Sequence, residues 1–105
     1  MTTLKQLKKL EKYVQTYGDD QLITSSLSKI IDYKIQKYEQ VLKELRSDLI
    51  SLEKKYDKKS DDFYRSFKKG ELGDAMDFVE WGSLYDMYQR ILNKKKMLES
   101  VEETL

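Results

Sequence analysis

The chain has 105 residues, 20 basic and 19 acidic, giving a formal net charge of +1, and it lacks histidine, cysteine and proline. That length supports one domain at most, and the charge balance provides no global field toward nucleic acid or a membrane. Missing cysteine and histidine exclude disulfides, thiol nucleophiles, thiolate metal sites and most general-base arrangements.

Charged residues make up 37% of the chain and hydrophobic ones 39%, a balance that suits helices burying one stripe each. With no proline and four glycines little interrupts a helix, and alternating Val, Ile and Thr runs are missing. The expected fold class is all-α: an antiparallel helical hairpin or coiled coil, with a short linking helix and an N-terminal amphipathic helix.

Leu4, Leu7, Leu10, Val14 and Tyr17 recur at steps of three and four, which predicts a first helix with one apolar face among Lys5, Lys8, Lys9 and Lys12. Thr3 is the expected N-cap and Gly18 the residue beyond the last turn. Asp19 and Asp20 form a polar break. The stretch from Met1 to Tyr13 has lysines but no continuous apolar segment, so no signal peptide is expected. No apolar run is long enough for a membrane span, and the expected compartment is the cytoplasm.

A heptad pattern dominates the second helix, expected over about Leu22 to Lys55. Ile31, Tyr38, Leu45 and Leu52 recur every seven residues, as do Ile35, Leu42, Leu49 and Tyr56. The alternating steps of four and three keep a seam facing a neighbouring helix. Leu27, Ile30 and Val41 widen the stripe. The same seam serves an intramolecular hairpin or a homo-oligomeric coiled coil; a homo-oligomer is expected.

Ser60 before Asp61 and Asp62 predicts the N-cap of a short helix, with Phe63, Tyr64 and Phe67 on its apolar side and Gly70 ending it. A last helix is expected from Asp74 or Asp77 to about Glu103, with Asp77 and Glu80 as a capping-box variant. Its apolar positions include Phe78, Trp81, Leu84, Tyr85, Tyr88, Ile91, Leu98 and Val101. Gly82 beside Trp81 is costly within a helix, by about 1 kcal/mol, and points to a close helix approach there. The expected organisation is an N-terminal amphipathic arm, 1–20, and a helical hairpin domain, 21–105.

Little here can carry chemistry. Glu71, Asp74, Asp77 and Glu80, spaced by three, could hold a hard cation or receive a basic partner, but capping and helix-dipole roles explain them as well. Gly70-Glu71-Leu72-Gly73 lacks the strand and Lys-Ser ending of a phosphate loop. The lysine-rich stretches at 5–12 and 54–59 are interspersed with acids, which suits solvated faces better than phosphate contact. No enzyme activity, cofactor or metal is expected, and nucleic acid is not the expected partner.

From Ile31 to Ile91, and most specifically at Phe63-Tyr64-x-x-Phe67-x-x-Gly70-Glu71-Leu72-Gly73-Asp74-x-x-Asp77-Phe78-x-Glu80-Trp81, the chain resembles a family of small archaeal and cyanobacterial helical proteins. Members of that family are regarded as antitoxin-like partners of a neighbouring toxin gene. The resemblance implies a rigid hairpin and an N-terminal arm that binds the toxin, with Leu4, Leu7, Leu10, Val14 and Tyr17 as its partner-binding face. Ile31, Ile35, Tyr38, Leu42, Leu45, Leu49, Leu52, Tyr56 and Trp81 are the expected hairpin or self-association seam. The alternatives are a scaffolding coiled coil and a nucleic-acid-binding helical protein.

Overall fold

In the computed structural model, which describes residues 1–100, the protein is all-α. Among the described residues there are four helices, α1 (Thr3–Tyr17), α2 (Gln21–Tyr56), α3 (Ser60–Lys68) and α4 (Met76–Ser100), and no strand. Val101 lies outside the described residues. The chain divides into two compact units, Met1–Tyr33 and a second that begins at Lys34.

In the first unit, the cap of α1 stands one residue earlier than expected. Thr2 is the N-cap, in extended conformation, and its hydroxyl accepts the Lys5 N–H at 3.2 Å. Thr3 is already helical, because the acceptor has to stand three residues before that donor. Gly18 ends the helix at φ 90, donating its N–H to the Val14 carbonyl at 2.8 Å, a conformation that disfavours any residue with a Cβ. The Asp20 carboxylate then accepts the Ile23 N–H at 3.1 Å and starts α2.

The second unit is the antiparallel hairpin of α2 and α4. Tyr56, at the end of α2, packs on Phe78 and Trp81 near the start of α4. Arg46 donates to the Tyr88 hydroxyl, and Glu39 pairs with Lys95 at 3.5 Å, so positions fall along α2 as they rise along α4. Leu42, Leu45 and Leu49 are buried in the middle of this seam. Between Tyr56 and α3 the chain turns through Asp57, at φ 49, with the Lys58 N–H returning to the Glu53 carbonyl. Aspartate tolerates this left-handed position better than most residues, which explains a helix end without glycine.

Two expected caps are corrected here. Ser60 is the first residue of α3, not its cap; that position belongs to Lys59, which makes no side-chain capping bond. Glu53 reaches over from α2 and accepts the Ser60 N–H at 2.8 Å, so the Ser60 hydroxyl is released for another partner. Asp77 lies inside the first turn of α4 and is held by Lys55 and Tyr56, so it does not form a capping box with Glu80. The Ala75 carbonyl receives the Phe78 and Val79 N–H groups instead. At the end of α3, the Gly70 N–H bonds the Phe67 carbonyl and the Glu71 N–H bonds the Ser66 carbonyl, with Gly70 at φ 76, a Schellman arrangement.

Candidate protein-binding surface

Two regions of very different character contain the residues singled out by the sequence. In the second unit a set of apolar side chains closes into a buried core. The Trp81 ring is completely buried and lies flat on Phe63, with ring centres 3.9 Å apart and planes 4° apart. Its indole N–H donates to the Ser60 hydroxyl at 2.9 Å, so the buried polar tip is satisfied. Leu49 completes this centre, while Leu52, Phe67, Leu72, Phe78 and Leu84 pack around it. Gly82 is buried beside Phe67; a Cβ there would stand 2.8 Å from the Phe67 ring.

Around that aromatic centre runs a belt of tyrosine–aspartate hydrogen bonds. Tyr56 donates to Asp77 at 2.5 Å, Tyr85 to Asp61 at 2.5 Å, and Tyr64 to Asp86. Lys55 also donates to Asp77, at 2.6 Å. Each carboxylate favours the neutral phenol beside it, because ionising the tyrosine would remove the donor and set two negative charges together. The Tyr85 hydroxyl is pushed up to about 12, first by its bond to Asp61 and then by burial. Tyr56 and Tyr64 move the same way through Asp77 and Asp86. Asp77 is held below the usual carboxylate range by Lys55 and then Tyr56.

This belt ties α3 and α4 to each other and α2 to α4. It has a consequence at high pH. Between about pH 10 and about pH 12 the unfolded chain loses the Tyr85 proton while the folded chain keeps it, so rising pH draws the equilibrium toward the unfolded state. Below that window the contribution is complete. Thermal unfolding followed by circular dichroism is expected to show a midpoint that falls across this range. The fall is shallower in Tyr85→Phe, which has no proton to lose there.

Glu71, Asp74, Asp77 and Glu80 do not converge. Asp77 turns to Lys55 and Tyr56, whereas Glu71, Asp74 and Glu80 are exposed. Among the described residues no three His, Cys, Asp or Glu side chains are grouped so that they could hold a metal ion. Nor is any helix among them long and apolar enough to cross a membrane.

The first unit has the opposite character: none of its residues is buried. Leu7, Leu10 and Val14 of α1 and Ile23 and Leu27 of α2 line an open apolar groove, with Glu11 and Gln15 at its edge. Leu7 is 47% exposed and Leu10 37%, high for leucines at the contact positions of two paired helices. Leu4 and Tyr17 are still more exposed, at 62% and 76%, and do not line the groove. Tyr17 instead pairs with Tyr13 at 5.2 Å, beside Lys9, Lys12 and Thr16.

The predicted seam is therefore graded along α2. Ile31 belongs to the first unit and is exposed; Ile35 and Tyr38 are half-buried. Leu42, Leu45 and Leu49 are buried, Leu52 is half-buried, and Tyr56 lies at the edge, stacked 5.8 Å from Trp81. Of the two uses left open for this seam, positions 42–56 are engaged within the chain. Ile23 was not singled out from the sequence. Its pairing with Leu27, four residues on, is the signal that would have placed it on the groove.

Compared with known protein families, with curated proteins and with solved structures, the chain has no match.

Proposed function

We infer that this protein is a binding module, an antitoxin-like component that attaches to a toxic partner protein and blocks it sterically. The observation that carries this reading is the uncovered apolar groove of Met1–Tyr33. A segment this short cannot bury a core of its own, and its two helices leave Leu7 and Leu10 partly exposed, at 47% and 37%. An open apolar groove bordered by polar residues is a place where another polypeptide gains by covering it, as when an amphipathic helix docks in a groove. The resemblance of 31–91 to the antitoxin-like family supplies the kind of partner. On this reading the second unit is the rigid part, and Leu7, Leu10 and Val14 are the anchors.

The test is growth of cells expressing the adjoining gene with and without this protein. Co-expression is expected to restore growth, and Leu7→Asp together with Val14→Asp is expected to abolish the rescue while the helical spectrum of the second unit persists. A harmless neighbour, or toxicity that persists despite full expression of the unaltered chain, overturns the reading.

A further inference from the structure

The lysines of α1 form a second surface, on the side of the helix away from the groove. Lys5, Lys8, Lys9 and Lys12 are all exposed, and their spacing puts them on one face, about 10 Å long. Glu11, the one acid of α1, interrupts them in sequence, but in the fold it lines the apolar groove with Leu7, Leu10 and Val14. Folding thus sorts the charges that the linear order mixes, and the lysine face keeps no acid of its own helix. Among the described residues none of the four lysines makes an ion pair. Asp19 and Asp20 lie beyond the end of α1, and the Asp20 carboxylate is engaged by the Ile23 N–H.

Beside the lysines the helix presents two aromatic rings. Lys9, Tyr13 and Tyr17 follow one another at steps of four, as do Lys12 and Thr16, and these five residues line one open hollow. That hollow shares no residue with the groove. Tyr13 and Tyr17 are exposed, with ring centres 5.2 Å apart and planes 46° apart. Tyr56, Tyr64 and Tyr85 are each tied to an aspartate; among the described residues Tyr13 and Tyr17 have no such bond.

Uncompensated lysines next to exposed rings match both parts of a single-stranded nucleic acid: phosphates take the charges, and unpaired bases stack on the rings. An acidic polypeptide matches the lysines alone and leaves the rings without a use. We propose that this face of α1 binds single-stranded nucleic acid without regard to sequence. Lys5, Lys8, Lys9 and Lys12 hold the phosphates, and Tyr13 and Tyr17 receive the bases. The inference goes beyond the groove reading and does not depend on it, because the two surfaces are opposite sides of one helix.

Fluorescence anisotropy of the full chain with a labelled oligothymidylate of about 12 nucleotides is expected to show micromolar binding at about 50 mM salt. Raising the salt to about 200 mM should weaken it about 20- to 50-fold. That is the loss for three or four phosphates at about −0.7 each in log K against log salt. Lys5→Gln, Lys8→Gln, Lys9→Gln and Lys12→Gln together should abolish binding. Glutamine is as good a helix former as lysine, and an unchanged circular dichroism spectrum checks that α1 persists. Tyr13→Leu with Tyr17→Leu should weaken binding at least about fivefold, whereas Tyr13→Phe with Tyr17→Phe keeps the rings and should change it less than about twofold. Lys54→Gln, Lys58→Gln and Lys59→Gln, around a hollow of the second unit, should also leave it within about twofold. No binding at about 200 µM overturns the proposal, as does equal loss from the second-unit lysines. Poly-glutamate held as tightly as the oligonucleotide, with no difference in the leucine variant, overturns it too and marks the face as a site for an acidic protein. The α1 glutamine variant is expected to rescue growth as the unaltered chain does, so this proposal and the groove reading fail separately.

Discussion

Trp81→Ala is expected to be the most damaging single substitution among the described residues, lowering stability by about 3–5 kcal/mol. The indole has no exposed surface, and its removal takes away the flat contact with Phe63 and the stacking surface of Tyr56. It also leaves the buried Ser60 hydroxyl without its donor, a loss the smaller side chain cannot make good. At roughly 0.05–0.15 kcal/mol per residue, a unit of about 70 residues has only about 4–10 kcal/mol in hand. The variant should therefore be partly unfolded at 37 °C, with a thermal midpoint lowered by more than about 10 °C in calorimetry. A loss below about 1 kcal/mol would mean that Leu49 and Phe67 close over the space, and that the aromatic stack is not the centre of the unit.

That centre was legible in the sequence only in outline. Heptad spacing from Ile31 to Tyr56 is a strong signal because each position repeats the same demand on one neighbour, and the burial of Leu42, Leu45 and Leu49 answers it. Periodicity cannot say whether the neighbour belongs to the same chain. The structure assigns α4 to that role for 42–56, through contacts such as Tyr56 on Trp81 and Arg46 on Tyr88. Helix ends were legible where one glycine decides them, as at Gly18 and Gly70. They were misread where a distant side chain intervenes. Glu53 takes the capping bond from Ser60, and Lys55 and Tyr56 take Asp77 out of its cap. Local rules contain no term for a carboxylate arriving from another helix.

The tyrosine–aspartate belt was missed for the same reason. Tyr64 and Asp86 are 22 positions apart and Tyr85 and Asp61 are 24 apart, so no spacing rule links them. The first unit presents the converse case. The steps between Leu7, Leu10 and Val14 placed those three on one face, while Leu4 and Tyr17 fall outside the groove and Ile23 was missed; a spacing pattern cannot report how much of a face stays uncovered. In the structure Leu7 and Leu10 remain open, and this exposure, not the pattern, turns an amphipathic helix into a candidate surface.

Gly82 is a closer contest between opposing effects. In an exposed helix interior, Gly82→Ala would be expected to stabilise by about 1 kcal/mol through backbone entropy. Here the new methyl carbon would stand 2.8 Å from one Phe67 ring carbon and 3.2 Å from the next, well inside contact distance. The ring cannot swing away cheaply. It is stacked on Phe63 at 5.3 Å, and Phe63 is itself pressed against Trp81. Overpacking of this kind costs about 1–3 kcal/mol, so the clash outweighs the helix gain and Gly82→Ala is expected to destabilise by up to about 2 kcal/mol. Gly82→Leu removes the ambiguity, because a full side chain must displace Phe67 altogether, and a loss of about 3 kcal/mol or more is expected in denaturant unfolding. The double change Gly82→Ala with Phe67→Leu should recover part of the loss, since the smaller side chain vacates the space the methyl needs. If Gly82→Ala instead raises stability by the full propensity gain, the glycine is there by tolerance, and the close approach of α3 to α4 does not require it.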